Sequence, residues 1–173
     1  MHPERRESLR LRTSVPCVWR VYDTVPDRSR LLSDFSLTEA GPAVERMLSI
    51  DEQMQTVFHA DALDGAMRDA LALLNDKIDA VAYETLFALP PPVTLELAMG
   101  GVRLPEALAM QEGHVLGLHL VLHDQHCFFV AAPCLSTGAP CARFRFSGLP
   151  AREQRRLNRF LLLESRTALP LSG

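Results

Sequence analysis

Arg6 and Arg10 lie four residues apart near the start of the chain, with Arg5 beside the first and Arg12 just beyond the second. A guanidinium is planar and permanently charged. Its fork of donors matches two phosphate oxygens, or the O6/N7 edge of guanine. Two such groups at this spacing on an arm can clamp one compact dianion; the plain alternative is a solvated N-terminus. His119, His123, His126 and Cys127 are of metal-ligand type. On a hairpin, however, His119 and His123 share a face only if the strand continues through both, and His126 lies beyond the turn. They are read as a strand histidine and a polar loop, with no metal site. Arg152, Arg155, Arg156 and Arg159 form a further basic cluster, but few aromatic residues lie beside it for base stacking, which argues against nucleic acid. Gly-x-Ser-x-Gly, P-loop and His-Glu-x-x-His patterns are absent, so no pattern of an enzyme active site is found.

The elements that would position these groups are short strands. Val15 to Val21, with Trp19, has β-branched and aromatic content, and Asp23 to Ser33, with Pro26, reads as a linker. Leu89-Pro-Pro-Pro92 ends whatever helix precedes it. Val93 to Leu97 predicts a strand, Met99-Gly100-Gly101-Val102 a turn, and Val102 to Leu104 the start of the next strand. The glycine pair would supply positive φ and a bare backbone. Gly113 to Leu122 is an apolar run, His123 to His126 a hairpin loop, and Cys127 to Pro133 the return. Ala139 to Phe146 alternates Arg143 and Arg145 against Phe144 and Phe146. A terminal helix over 150–167 carries Leu157, Phe160 and Leu161 on its apolar stripe. The expected class is α+β, mainly β: a small antiparallel barrel closed by one helix.

Between these ends the chain changes character. Ser36-Leu-Thr-Glu39 has the form of a capping box, and Pro42 suits a first helical turn. Ala40, Ala43, Met47, Ile50, Met54 and Val57 follow at heptad-like spacing; Leu63, Met67, Ala70, Leu74, Ile78 and Val81 form a second stripe, with the break placed at His59-Ala60-Asp61. From Asp34 to Phe87 there are eleven Asp and Glu against three Lys and Arg, a solvated acidic face. Residues 34–87 are therefore read as a helical insertion into a barrel domain formed by 1–33 and 88–173. The insertion either packs as a hairpin on its own domain or self-associates. Self-association would use Ala43, Met47, Ile50, Met54 and Val57 with Met67, Leu74 and Ile78. At 173 residues and 47% hydrophobic, the chain has enough for one domain with an appendage. No apolar run reaches eighteen residues and the N-terminus lacks a signal-peptide core, so a cytoplasmic protein is expected, with Cys17, Cys127, Cys134 and Cys141 as small buried thiols.

Arg5-Arg6-x-x-x-Arg10 before the first strand resembles the Arg-Arg-x-x-x-Arg arm of PilZ domains. Leu95-Glu-Leu-Ala-Met-Gly-Gly-Val102 sits where that family has (Asp/Asn)-x-Ser-x-x-Gly, and Ala142 to Leu149 with the helix after it resembles the family's last strand and closing helix. The resemblance covers 4–22 and 92–167, and the helical insertion is similar to that of tetrameric relatives. It implies a six-stranded antiparallel barrel, a bacterial signalling role without catalysis or cofactor, and cyclic di-GMP as ligand. It also implies a homo-oligomer, a tetramer before a dimer. Arg6 and Arg10, with Arg5, would wrap the nucleotide, while Glu96, Ala98 and Gly101 would receive it. The sequence departs from the pattern at Glu96, one methylene longer, and at Ala98, which lacks the hydroxyl; a lost hydrogen bond costs about 0.5–1.5 kcal/mol. The alternative is a degenerate scaffold that binds cyclic di-GMP poorly and acts through oligomerisation and a protein partner.

Overall fold

A computed structural model describes residues 10–37, 39–58, 64–134 and 140–168. Six strands form a closed antiparallel barrel: β1 Arg10–Tyr22, β2 Pro92–Ala98, β3 Gly101–Leu108, β4 Val115–Leu122, β5 Gln125–Pro133 and β6 Cys141–Phe146, in the order β1-β2-β3-β6-β5-β4. Among the described residues there are also four helices: α1 Arg28–Phe35, α2 Gly41–Phe58, α3 Gly65–Leu86 and α4 Ala151–Ala168. The chain divides into two compact units, Met1–Val25 with Pro90–Gly173, and Pro26–Leu89.

Closure of the barrel rests on the long strand β1. Its first half, Arg10 to Pro16, pairs with β2, and its second half, Cys17 to Tyr22, pairs with β4. The change of partner falls where Pro16 faces Pro92, two residues that cannot donate to the ladder; beyond it the Cys17 N–H donates to the Pro91 carbonyl at 3.1 Å. Alternate residues point inward. Val15, Leu95, Leu97, Val102, Leu104, Leu116, Leu118, Leu120, Phe129 and Phe144 fill the barrel, and Leu157, Phe160 and Leu161 of α4 join the same core, as the stripe on that helix predicts. Pro105 interrupts β3, whose register with β6 shifts between Arg103 and Leu108.

The β4–β5 connection is tighter than the four-residue loop expected. Leu122 pairs with Gln125, and only His123 and Asp124 turn, both at positive φ (47° and 61°). A two-residue hairpin with both central residues left-handed follows the twist of its strands, and Asp and His tolerate that conformation. Consequently His126 is not a loop residue but lies in β5. It is buried, and its Nδ1 is 2.8 Å from Nε2 of the buried His119, in a stack that continues onto Phe128. Burial, and then the neighbouring His126, pushes His119 from 6.5 down to about 3. The exposed His123 instead meets Glu164 of α4 at 3.0 Å. Of the cysteines, Cys17, Cys127 and Cys141 are buried, while Cys134 is exposed, contrary to expectation, since it follows the end of β5. Burial raises the Cys17 and Cys127 thiols to about 12, which keeps both protonated and unreactive.

In the helical unit the stretch read as linker contains α1, capped by Asp27, whose side chain accepts from the Arg30 N–H at 2.8 Å. Its buried residues are Leu31 and Leu32. The capping box at Ser36 is not a helix start. Ser36 caps the C-terminus of α1, its hydroxyl donating back to the Ser33 carbonyl at 2.9 Å, and it bridges to Phe87. Helix α2 begins five residues later, with Pro42 in the first turn as expected. Asp64 caps α3 by accepting from the Met67 N–H at 2.7 Å. The predicted break at His59-Ala60-Asp61, together with Leu63, lies outside the described residues.

Candidate functional site

Because side chains alternate along a strand, the residues between the core positions of β1, β2, β3 and β6 share the outer face of the barrel. Register places them in two rows. Arg10 pairs with Ala98, Ala98 with Gly101, and Gly101 with Arg145. One step along, Arg12 pairs with Glu96, Glu96 with Arg103, and Arg103 with Arg143. A cleft of about 250 Å³ opens on this face, lined by Arg10, Glu96, Ala98, Gly101, Arg103, Arg143 and Arg145 among others. Thus Arg10, Glu96, Ala98 and Gly101, drawn from two stretches more than eighty residues apart, line one cleft. Arg5 and Arg6 lie outside the described residues.

The chemistry of the cleft is that of an anion receiver. Arg10, Arg103, Arg143 and Arg145 stand around it, against the single carboxylate of Glu96. That carboxylate is engaged: Oε1 of Glu96 accepts from Nη1 of Arg103 at 3.2 Å, a half-exposed pair worth little in itself. Ala98 and Gly101 form a low floor between Arg10 and Arg145. Arg103, Arg143 and Arg145 were not among the candidate site residues. The alternation at 143–146 marks a strand with an arginine face, but which strand lies beside it depends on the register.

The glycine pair acts differently from its expected role. Neither Gly100 nor Gly101 is among the residues at positive φ. A Cβ on Gly101 would collide with the Phe144 carbonyl oxygen, so the backbones of β3 and β6 approach too closely there for any side chain. Gly101→Ala is expected to cost about 2 kcal/mol of stability by pushing the two strands apart, read as a lower urea midpoint. Gly100→Ala, which meets nothing within 4 Å, serves as the control and should leave the midpoint nearly unchanged.

The proposed oligomerisation residues divide into two sets. On α2, Met47 is buried beside Val44 and Ala40, so it belongs to the core of its own chain, and Ala43 is exposed. Met54 is half-buried, whereas Ile50 and Val57 are exposed. On α3 the buried residues are Asp79, Tyr83 and Leu86, near its C-terminal end. Met67, Leu74 and Ile78 are exposed, with Leu73 and Val81 beside them.

No family model matches the chain, and no curated protein matches it. Among solved structures it is similar to a pathogenic protein from Xanthomonas campestris described as a new tetrameric PilZ domain self-assembled via an unusual helical bundle. The two are 14% identical over 94% of this chain and 90% of that one, with a TM-score of 0.46. The architecture expected of a PilZ-like chain is the one observed in this protein's own strands: six antiparallel strands closed into a barrel, a C-terminal helix and an inserted helical segment. No helix among the described residues is long and apolar enough to cross a membrane.

Proposed function

We propose that this protein is a non-enzymatic, PilZ-like signalling module whose barrel face binds cyclic di-GMP and whose helical insertion, residues 34–87, assembles it into a homo-oligomer. One observation carries the ligand half of this reading. Residues selected from the arginine arm and from the glycine-turn motif fall in one row, Arg10–Ala98–Gly101, across adjacent strands and on the rim of one cleft. Arg10, which follows Arg5 and Arg6 in the sequence motif, lines that cleft itself. A reducing, cytoplasmic setting fits the unpaired cysteines.

Replacing Arg10 by Ala is expected to cost about 1.5–3 kcal/mol of cyclic di-GMP binding, the worth of a charge-assisted hydrogen bond to phosphate. Calorimetric titration of both proteins measures it, and equal affinities would remove Arg10 from the site. A second reading, that of a degenerate scaffold acting through a protein partner, is favoured by two details of the same cleft: the Glu96 carboxylate is turned to Arg103, and Ala98 offers no hydroxyl. An assembled protein that shows no heat with cyclic di-GMP would select it.

A further inference from the structure

The cleft has two walls, and only one was drawn from the sequence. Resting on the ligand reading just given, we propose that Arg103, Arg143 and Arg145, on β3 and β6, form a second anion subsite opposite Arg10, so that the cleft selects ligands with two separated phosphates, one held at each wall.

Register fixes the layout. Arg10 and Arg145 end the same row, separated by Ala98 and Gly101. Three strand spacings of about 4.8 Å place their Cα atoms roughly 14 Å apart along the sheet. The two residues between them project no further than a Cβ, so a ligand can lie on the backbone while each arginine reaches inward from its own end. Gly101 cannot be enlarged without moving β6. The close approach that brings Arg145 into the row therefore also keeps the floor low. Arg143, in the row below, stands beside Arg103 on the same side. A ligand with one phosphate can satisfy one wall, whereas two linked phosphates engage both, and the second contact is then intramolecular.

Charge supports the same assignment. Four guanidiniums share this cleft with one carboxylate, and among the described residues no carboxylate is paired with Arg10, Arg143 or Arg145. Like charges gathered on one face repel each other and raise the local concentration of anions. The helical unit is acidic, with twelve Asp and Glu against five Lys and Arg over 26–89, leaving thirteen basic against nine acidic residues for the rest of the chain. Glu96 then has a defined role. Lying between the walls and bonded to Arg103 at 3.2 Å, it competes with the ligand for that guanidinium and holds affinity down.

The test uses the full chain and two ligands, cyclic di-GMP with two phosphates and 5′-GMP with one. The variants are Arg143→Ala with Arg145→Ala, Arg10→Ala, and Glu96→Gln. Loss of the β3–β6 wall is expected to weaken cyclic di-GMP by about tenfold or more, as charge-assisted contacts do, while 5′-GMP changes by no more than about twofold because the Arg10 wall remains. Glu96→Gln is expected to strengthen cyclic di-GMP by about threefold, on the scale of an exposed ion pair. These arginines are exposed, so thermal melts should coincide with the parent and exclude misfolding as the cause. If Arg10→Ala weakens cyclic di-GMP but the double variant binds within twofold of the parent, the second subsite is wrong and the receptor reading stands. If the folded parent binds no cyclic di-GMP at millimolar concentration, both fall together.

Discussion

Leu74→Glu combined with Ile78→Glu is expected to turn an assembled protein into one of monomer mass, 19.2 kDa, by light scattering at tens of micromolar. The basis is an apolar stripe on α3 that stays exposed among the described residues. Met67, Leu74 and Ile78 are 52%, 54% and 57% exposed, and Leu73 and Val81 more so. A large aliphatic side chain is worth about 1.5–3 kcal/mol when buried. Because these are only a little over half exposed, four of them would contribute roughly 3–7 kcal/mol per chain, within the range of the cost of association. Helix α2 adds Ile50 and Val57. An exposed stripe of this length is more than soluble monomers usually tolerate. Glutamates at two of its positions would bring carboxylates from every copy into one apolar contact, which is far more costly than losing two methyl-bearing side chains. Both positions are exposed, so the helical signal in circular dichroism should persist. Met47 is unsuited to this test because it is buried in its own chain, and a charge there would disrupt the fold instead. The pattern of exposure predicts that copies associate and leaves their number to be measured. A wild type of 19.2 kDa under the same conditions would contradict the assignment.

Acid should destabilise the barrel more steeply than its carboxylates alone would cause. His119, buried and bonded to His126, resists protonation down to about pH 3 in the fold, against 6.5 for a solvated imidazole. Above pH 6.5 the folded and unfolded states are alike at this group. Below it the unfolded chain takes up a proton that the fold refuses. Stability is therefore lost progressively from pH 6.5 toward pH 3, by up to about 1.4 kcal/mol per unit from this residue. His119→Gln keeps a polar partner for His126 and removes the titration. The variant starts less stable, because a ring stack with Phe128 is lost, so the slope and not the offset is read. Urea unfolding at pH 7, 6, 5 and 4 should give a shallower pH dependence for the variant by about one proton. Parallel lines would show that His119 is free to protonate in the folded protein.

Which parts of this molecule were legible in the sequence follows from how local their causes are. Alternation at Phe144 and Phe146, the i, i+3, i+4 stripe of α4 and the prolines before β2 each act within a few residues, and each element formed where expected. Ser36-Leu-Thr-Glu39 misled because the pattern of a capping box is also met at a helix end. The Ser36 hydroxyl bonds backward to Ser33 and its backbone bridges to Phe87, a partner fifty-one residues away. Helix α1 was hidden by its brevity and by the turn signal of Pro26-Asp27, which proved to be its cap. The cleft was half legible. Arg10 stood out by type and spacing, whereas Glu96, Ala98 and Gly101 were singled out only by the resemblance to PilZ domains. Arg103, Arg143 and Arg145 join them only through the pairings of β3 with β2 and of β3 with β6, which no local pattern encodes. The role of Gly101 was obscured in the same way, since its constraint is the Phe144 carbonyl, forty-three residues later on another strand.

Cyclic di-GMP is expected to land on the face shared by β1, β2, β3 and β6. Amide chemical-shift mapping of the full chain during titration with cyclic di-GMP tests it most directly. The predicted result is a set of saturable shifts confined to Arg5–Arg12, Glu96–Arg103 and Arg143–Arg145, with β4 and the outer face of α4 unmoved. Unchanged amides on those three segments at millimolar cyclic di-GMP, or shifts gathered instead on Arg155, Arg159 and Arg166, would contradict it.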